Sequence, residues 1–84
     1  MARYDVRYLT YAAEQLSQLP RSVRTCTTFD ASVDDLRRDP YLVGAYDKRE
    51  GCYSTTFGGL GLIFYVVGDE IAMVTITRLF WLKW

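Results

Sequence analysis

The sequence predicts an α+β fold in which an N-terminal strand and a two-helix hairpin pack on a small antiparallel sheet. Three observations predict it. Residues 3–8 alternate apolar and charged side chains, residues 10–38 repeat apolar positions every three or four, and strand-like runs separated by glycine turns follow from residue 46. With 84 residues the chain fits one domain, 1–84, and a chain of this size buries roughly 60–65% of its unfolded surface.

Taken in order, "RYDVRY" sets Tyr4, Val6 and Tyr8 against Arg3, Asp5 and Arg7, so Arg3 to Tyr8 reads as a strand with one wet face, outer or central in the sheet. Thr10 or the turn before it can cap a helix over 10–19, whose Ala12, Leu16 and Leu19 share one side and which stops at Leu19-Pro20. A second helix over 21–38 carries Cys26, Phe29, Val33 and Leu36 on one stripe, with Arg24, Asp34, Asp35 and Arg38 off it. It ends at "RRDPY", because Pro40 disfavours helical geometry at Asp39 and the Arg37-Arg38 pair suits a helix C-terminus.

Three strand candidates remain: Tyr46 to Phe57, interrupted near Glu50-Gly51; Leu60 to Val67; and Ile71 to Trp81. The turns "FGGL" and "VGDE" join them as hairpins. Leu60 to Val67 is apolar apart from Gly61, as befits a strand buried in the middle of the sheet. One sheet face packs on the helices and the other is left open or concave.

Composition bounds the function. Half the residues are hydrophobic and 15% aromatic, which excludes disorder, and no apolar run approaches the ~18 residues of a spanning helix, so no membrane partner is expected. "MARYDVRY" lacks the apolar core of a secretory signal, and a cytoplasmic location is expected. Cys26 and Cys52 match no metal-ligand spacing and read as reduced, semi-buried thiols; neither metal nor cofactor is expected. The absence of histidine removes the usual general base, so any chemistry must run on Arg, Lys, Tyr and carboxylates. Ten basic residues balance ten acidic ones, which counts against a strong general nucleic-acid binder and leaves room for a local patch or a protein-pairing surface.

The succession "AAEQLSQLP", a second helix ending "LRRDPY", then "GCYSTTFGGLGLIFYVVGDEIAMVTITR" resembles the RelE/ParE superfamily of small bacterial toxins from type II toxin–antitoxin systems, over Tyr4 to Arg78. The resemblance implies a RelE-like fold and a cognate antitoxin as partner. It also implies either of two targets: the ribosome and its mRNA, cut by a metal-independent endoribonuclease as in RelE, or DNA gyrase, bound without catalysis as in ParE. A third alternative is a member that has kept only antitoxin recognition. Many members of the superfamily carry an arginine at the start of the central strand; Gly61, preceded by Leu60, stands there in this chain.

Cleavage of RNA by its own 2′-hydroxyl needs a base, a cation at the phosphorane and an acid for the leaving oxygen. Arg78, Lys48 and Arg49 are the candidates for the cation, and Glu50 for the base. Tyr53 and Trp84 can stack an unpaired base, with Lys83 beside them as a further RNA contact. Lys48, Arg49 and Glu50 equally suit a solvated turn, Arg78 an edge charge, and Tyr53, Phe64 and Tyr65 the core or a sheet face. The tail "RLFWLKW" holds five large apolar side chains in seven residues, more than a terminal strand easily buries on both faces; Phe80 and Trp81 are the candidates for antitoxin docking.

Overall fold

A computed structural model describes residues 3–26, 29–59 and 61–82. Its order is β1 (Asp5–Tyr8), α1 (Thr10–Gln18), α2 (Arg21–Cys26), α3 (Phe29–Arg38), α4 (Pro40–Val43), β2 (Ala45–Asp47), β3 (Cys52–Phe57), β4 (Gly61–Gly68) and β5 (Met73–Trp81). The strands form one five-stranded sheet in the order β1-β5-β4-β3-β2. β1 is an outer strand and runs parallel to β5, while every other neighbouring pair is antiparallel.

The predicted alternation in β1 is borne out: Tyr4, Val6 and Tyr8 pack against the core. So is the side of α1, where Ala12 and Leu19 are buried and Leu16 packs beside them. Of the two expected cap positions the turn before Thr10 supplies the cap: Leu9 occupies it without a side-chain hydrogen bond, and Thr10 is already helical. The second predicted helix is described as two segments, α2 and α3, with residues 27–28 outside the described residues. Phe29, Val33 and Leu36 of its stripe are buried, and the Cys26 side chain lies outside what is described.

Pro40 ends α3 as expected, and it also opens α4, an element the periodicity did not predict. Asp39 caps α4 by accepting from the backbone N–H groups of Tyr41 and Leu42, at 3.2 and 3.1 Å, with Pro40 in the first turn, where a missing N–H costs nothing.

The interruption at Glu50-Gly51 proves to be a hairpin turn, so Tyr46 to Phe57 is two antiparallel strands rather than one. The Asp47 carboxylate accepts from the N–H groups of Arg49 and Glu50, and Gly51 takes φ +71°, a conformation open to glycine.

On the helix-facing side one row of paired residues crosses all five strands: Tyr8, Ile76, Tyr65, Tyr53 and Tyr46. Tyr65 is its buried centre, with its hydroxyl donating to the Pro40 carbonyl. On the open side the adjacent row is Arg78, Phe64, Ser54 and Ala45.

These rows exist because of a bulge. Tyr65 pairs with Ile76 and Phe64 with Arg78, so Thr77 is an extra residue in β5. Before it, Val74 and Ile76 face the core; after it, Leu79 does, and Trp81 packs partly against it. Strict alternation from Val74 and Ile76 would aim Arg78 inward, whereas one inserted residue turns Arg78 and Phe80 to the open face.

Candidate functional site

The site is the concavity on the open face around Arg78. Its guanidinium carbon lies 4.3 Å from the Phe64 ring centroid, and a terminal nitrogen lies 3.4 Å from a Glu50 carboxylate oxygen. Phe64 is held between β3 and β5 and supplies a flat, apolar underside for the cation. Glu50 arrives from the β2–β3 turn, whose backbone Asp47 fixes.

Helix α1 closes the concavity from the edge of the sheet. β1 pairs with β5 only as far as Ile76, which leaves the next stretch of β5 without a strand on that side. Gln15 takes that place: its amide nitrogen donates to the Leu79 carbonyl and its amide oxygen accepts from the Leu79 N–H, both at 2.7 Å. One side chain thus satisfies both backbone groups of the residue after Arg78. Four residues earlier on α1, the exposed Tyr11 borders the concavity.

Two cavities flank Arg78 and share Tyr11, Phe64 and Arg78 as walls. One, about 370 Å³, adds Glu50, Cys52 and Thr77; the other, about 420 Å³, adds Leu62, Leu79 and Phe80. Burial pushes the Cys52 thiol above its usual range, Glu50 adds to the effect, and Arg78 opposes it. The thiol therefore stays protonated at neutral pH and is not an activated nucleophile.

No family model matches the sequence, and no curated protein matches it either. Among solved structures, the RelBE2 toxin–antitoxin complex of Mycobacterium tuberculosis contains a similar chain. The TM-score is 0.83 and the identity 30%, over 96% of this chain and the whole of the other. This chain belongs to the RelE-like toxin family. The α+β architecture expected from the resemblance is the one observed.

In this RelE-like chain the sequence candidates separate by face. Arg78 and Glu50 meet on the open face. Lys48 and Arg49 share the Glu50 turn, exposed, and line neither cavity. Tyr53 points to the opposite side, stacked on Tyr65 at 5.7 Å between ring centroids and edged by Tyr41 and Tyr46. Phe80 is half exposed on the open face opposite Leu62, and Trp81 faces the helix side opposite Gly61. Lys83 and Trp84 lie outside the described residues.

Gly61, which the resemblance sets at the position of the relatives' strand arginine, does not face the open side; it belongs to the core-facing row with Phe57 and Trp81. A Cβ there would lie 2.2 Å from the Phe57 ring, so glycine is required by packing. At the start of β4 the open-face position is Leu62.

Sequence reasoning missed Tyr11 and Gln15. Gln15 carried a signal: it lies three residues after Ala12 and four before Leu19, a polar side chain on the buried stripe of α1. Nothing local distinguished Tyr11 from any other exposed tyrosine. Among the described residues no helix is long and apolar enough to cross a membrane.

Proposed function

We propose that the chain is a RelE-like toxin that inhibits translation by cutting ribosome-bound mRNA, and that a cognate antitoxin neutralises it. The observation that carries this reading is the Arg78 guanidinium held over Phe64 and beside Glu50 in a concave, partly apolar site. Arg78 binds the non-bridging oxygens of the scissile phosphate and stabilises the charge that grows on them, a role for which its planar fork is suited. Phosphate displaces Glu50 from the guanidinium, leaving that carboxylate beside the ribose.

Glu50 then takes the proton of the 2′-hydroxyl as its oxygen attacks phosphorus. The bond from phosphorus to the 5′-oxygen breaks, and the departing oxygen takes a proton from solvent. The products are a 2′,3′-cyclic phosphate and a 5′-hydroxyl end. Lys48 and Arg49, exposed on the same turn as Glu50, extend the positive rim along the backbone. Phe80 and the exposed Leu82 offer the antitoxin an apolar strip at the end of β5.

Expression of the chain alone should stop translation, with primer extension revealing cuts within codons, and co-expression of the adjacent open reading frame should relieve both. Growth arrest with intact mRNA and inhibited DNA gyrase would overturn the ribonuclease reading in favour of ParE-like binding. Harmless expression would leave antitoxin recognition alone.

A further inference from the structure

The concavity beside Arg78 has two adjoining parts. Both are lined by Tyr11, Phe64 and Arg78, and their other walls differ in chemistry. Glu50, Cys52 and Thr77 line one; Leu62, Leu79 and Phe80 line the other. Each lies near the lower end of the roughly 300–1,000 Å³ range of small-ligand sites, enough for one nucleoside-sized group apiece. A cation between two such chambers matches the chemistry of a dinucleotide step, in which one phosphate links two bases.

We propose that the cavities are adjacent nucleoside subsites for single-stranded RNA, with the linking phosphate on Arg78 and Tyr11 stacking the base in the apolar chamber. This rests on the ribonuclease reading and adds a direction of binding and a specificity residue on α1. Glu50 lines the polar chamber, so the nucleotide that supplies the attacking 2′-hydroxyl sits there. The apolar chamber takes the nucleotide on the 3′ side of the cut.

Tyr11 fits this role on three counts. The residue is 58% exposed, its hydroxyl makes no hydrogen bond among the described residues, and it lines both chambers. The Gln15 bonds to Leu79 fix α1, and with it Tyr11, against the strand that carries Arg78. Phe80, half exposed across the chamber, provides a second apolar wall.

The test uses an uncleavable probe, a dinucleotide with a 2′-deoxyribose on the 5′ side of its phosphate, and the same compound lacking the 3′ base. Both are titrated into the wild-type chain and into Tyr11→Ala, Tyr11→Phe and Arg78→Ala, with circular dichroism confirming that each variant is folded. The wild type should prefer the complete dinucleotide by about tenfold, within the range measured for base–aromatic stacking. Tyr11→Ala should erase that preference by weakening the complete dinucleotide more than the abasic compound; Tyr11→Phe should keep it, and Arg78→Ala should weaken both compounds.

If Tyr11→Ala changes neither compound, or weakens both equally, the subsite assignment is wrong while the ribonuclease reading stands. A wild-type chain that binds neither compound and cuts no mRNA overturns both. Loss of antitoxin capture by Tyr11→Ala with the base preference intact assigns the chamber to protein docking and also overturns the proposal.

Discussion

Arg78 and Phe64 are direct cross-strand partners on the open face, and the guanidinium carbon of the first lies 4.3 Å from the ring centroid of the second. Such a contact contributes about 0.5–1 kcal/mol when part of the cation meets water, as it does here. Its larger effect is geometric. With Glu50 on another side, the guanidinium is held in place before substrate arrives, which lowers the cost of ordering a long side chain on binding.

Arg78→Ala should reduce mRNA cleavage by about a hundredfold or more, the usual consequence of removing one transition-state donor. Arg78→Lys should recover only part of it, because an ammonium keeps the charge and loses the fork. Cleavage of ribosome-bound message in a cell-free translation system measures both, and equal activity of the wild type and Arg78→Ala would remove Arg78 from the site.

Glu50→Gln separates base from tether. The substitution removes the negative charge beside Arg78, so RNA should bind as tightly as before or more tightly, while the cleavage rate should fall by about a hundredfold or more for a lost general base. Single-turnover cleavage and a binding titration of the same variant give the two numbers. A variant that binds and cuts normally would limit Glu50 to holding Arg78.

Gly61→Arg and Leu62→Arg should behave oppositely despite being neighbours. The first forces a side chain into the Phe57 ring and the Phe80 backbone, and should destabilise the fold by about 3 kcal/mol or more, seen in urea unfolding. The second adds a cation beside Phe80 on the open face. It should fold, bind single-stranded RNA more tightly at low salt, and steepen the salt dependence by a slope of about 0.7.

The chain should unfold in alkali between pH 10 and 12. Tyr41 donates to Asp69, which holds its phenol up at about 12, and burial with the Tyr53 neighbour raises Tyr65 to about 12 as well. Tyr4, bonded to Asp69, and the half-buried Tyr8 are also raised from the ordinary value of 10.0. Because the folded state favours the neutral phenols, their stabilisation is complete below pH 10 and lost as pH climbs through 12. Tyrosinate absorbance and circular dichroism should therefore change together, and Tyr41→Phe should remove its share of the effect. Tyrosines ionising near pH 10 in a still-folded chain would contradict this account.

Deleting Thr77 should straighten β5 without changing its facings. With the extra residue gone, Arg78 follows Ile76 directly, so strict alternation keeps Arg78 on the open face and Leu79 and Trp81 on the core side. The deletion should fold, as judged by circular dichroism, and an unfolded product would contradict this register. Thr77→Ala, which loses only the 3.3 Å bond from its hydroxyl to the Phe64 carbonyl, should cost about 1 kcal/mol.

Local chemistry made much of this molecule legible in its sequence. The alternation of Tyr4, Val6 and Tyr8, the spacing of Ala12, Leu16 and Leu19, the stop at Asp39-Pro40 and the glycines at 58 and 59, both at positive φ, are each decided within a few residues, because backbone sterics and side-chain period act over that range. Even the bulge left a trace, since the apolar residues of "VTITRLFW" stand only at even positions through Ile76, while Leu79 and Trp81 then take odd ones. Tertiary structure alone decided which strand β1 joins, that the residues around Glu50 form a hairpin turn reaching Arg78, that Gly61 faces the core, and that Tyr11 and Gln15 border the site. Those outcomes depend on pairings between residues up to 68 positions apart, such as Asp5 with Met73, and no local period or turn preference encodes which distant segments will meet.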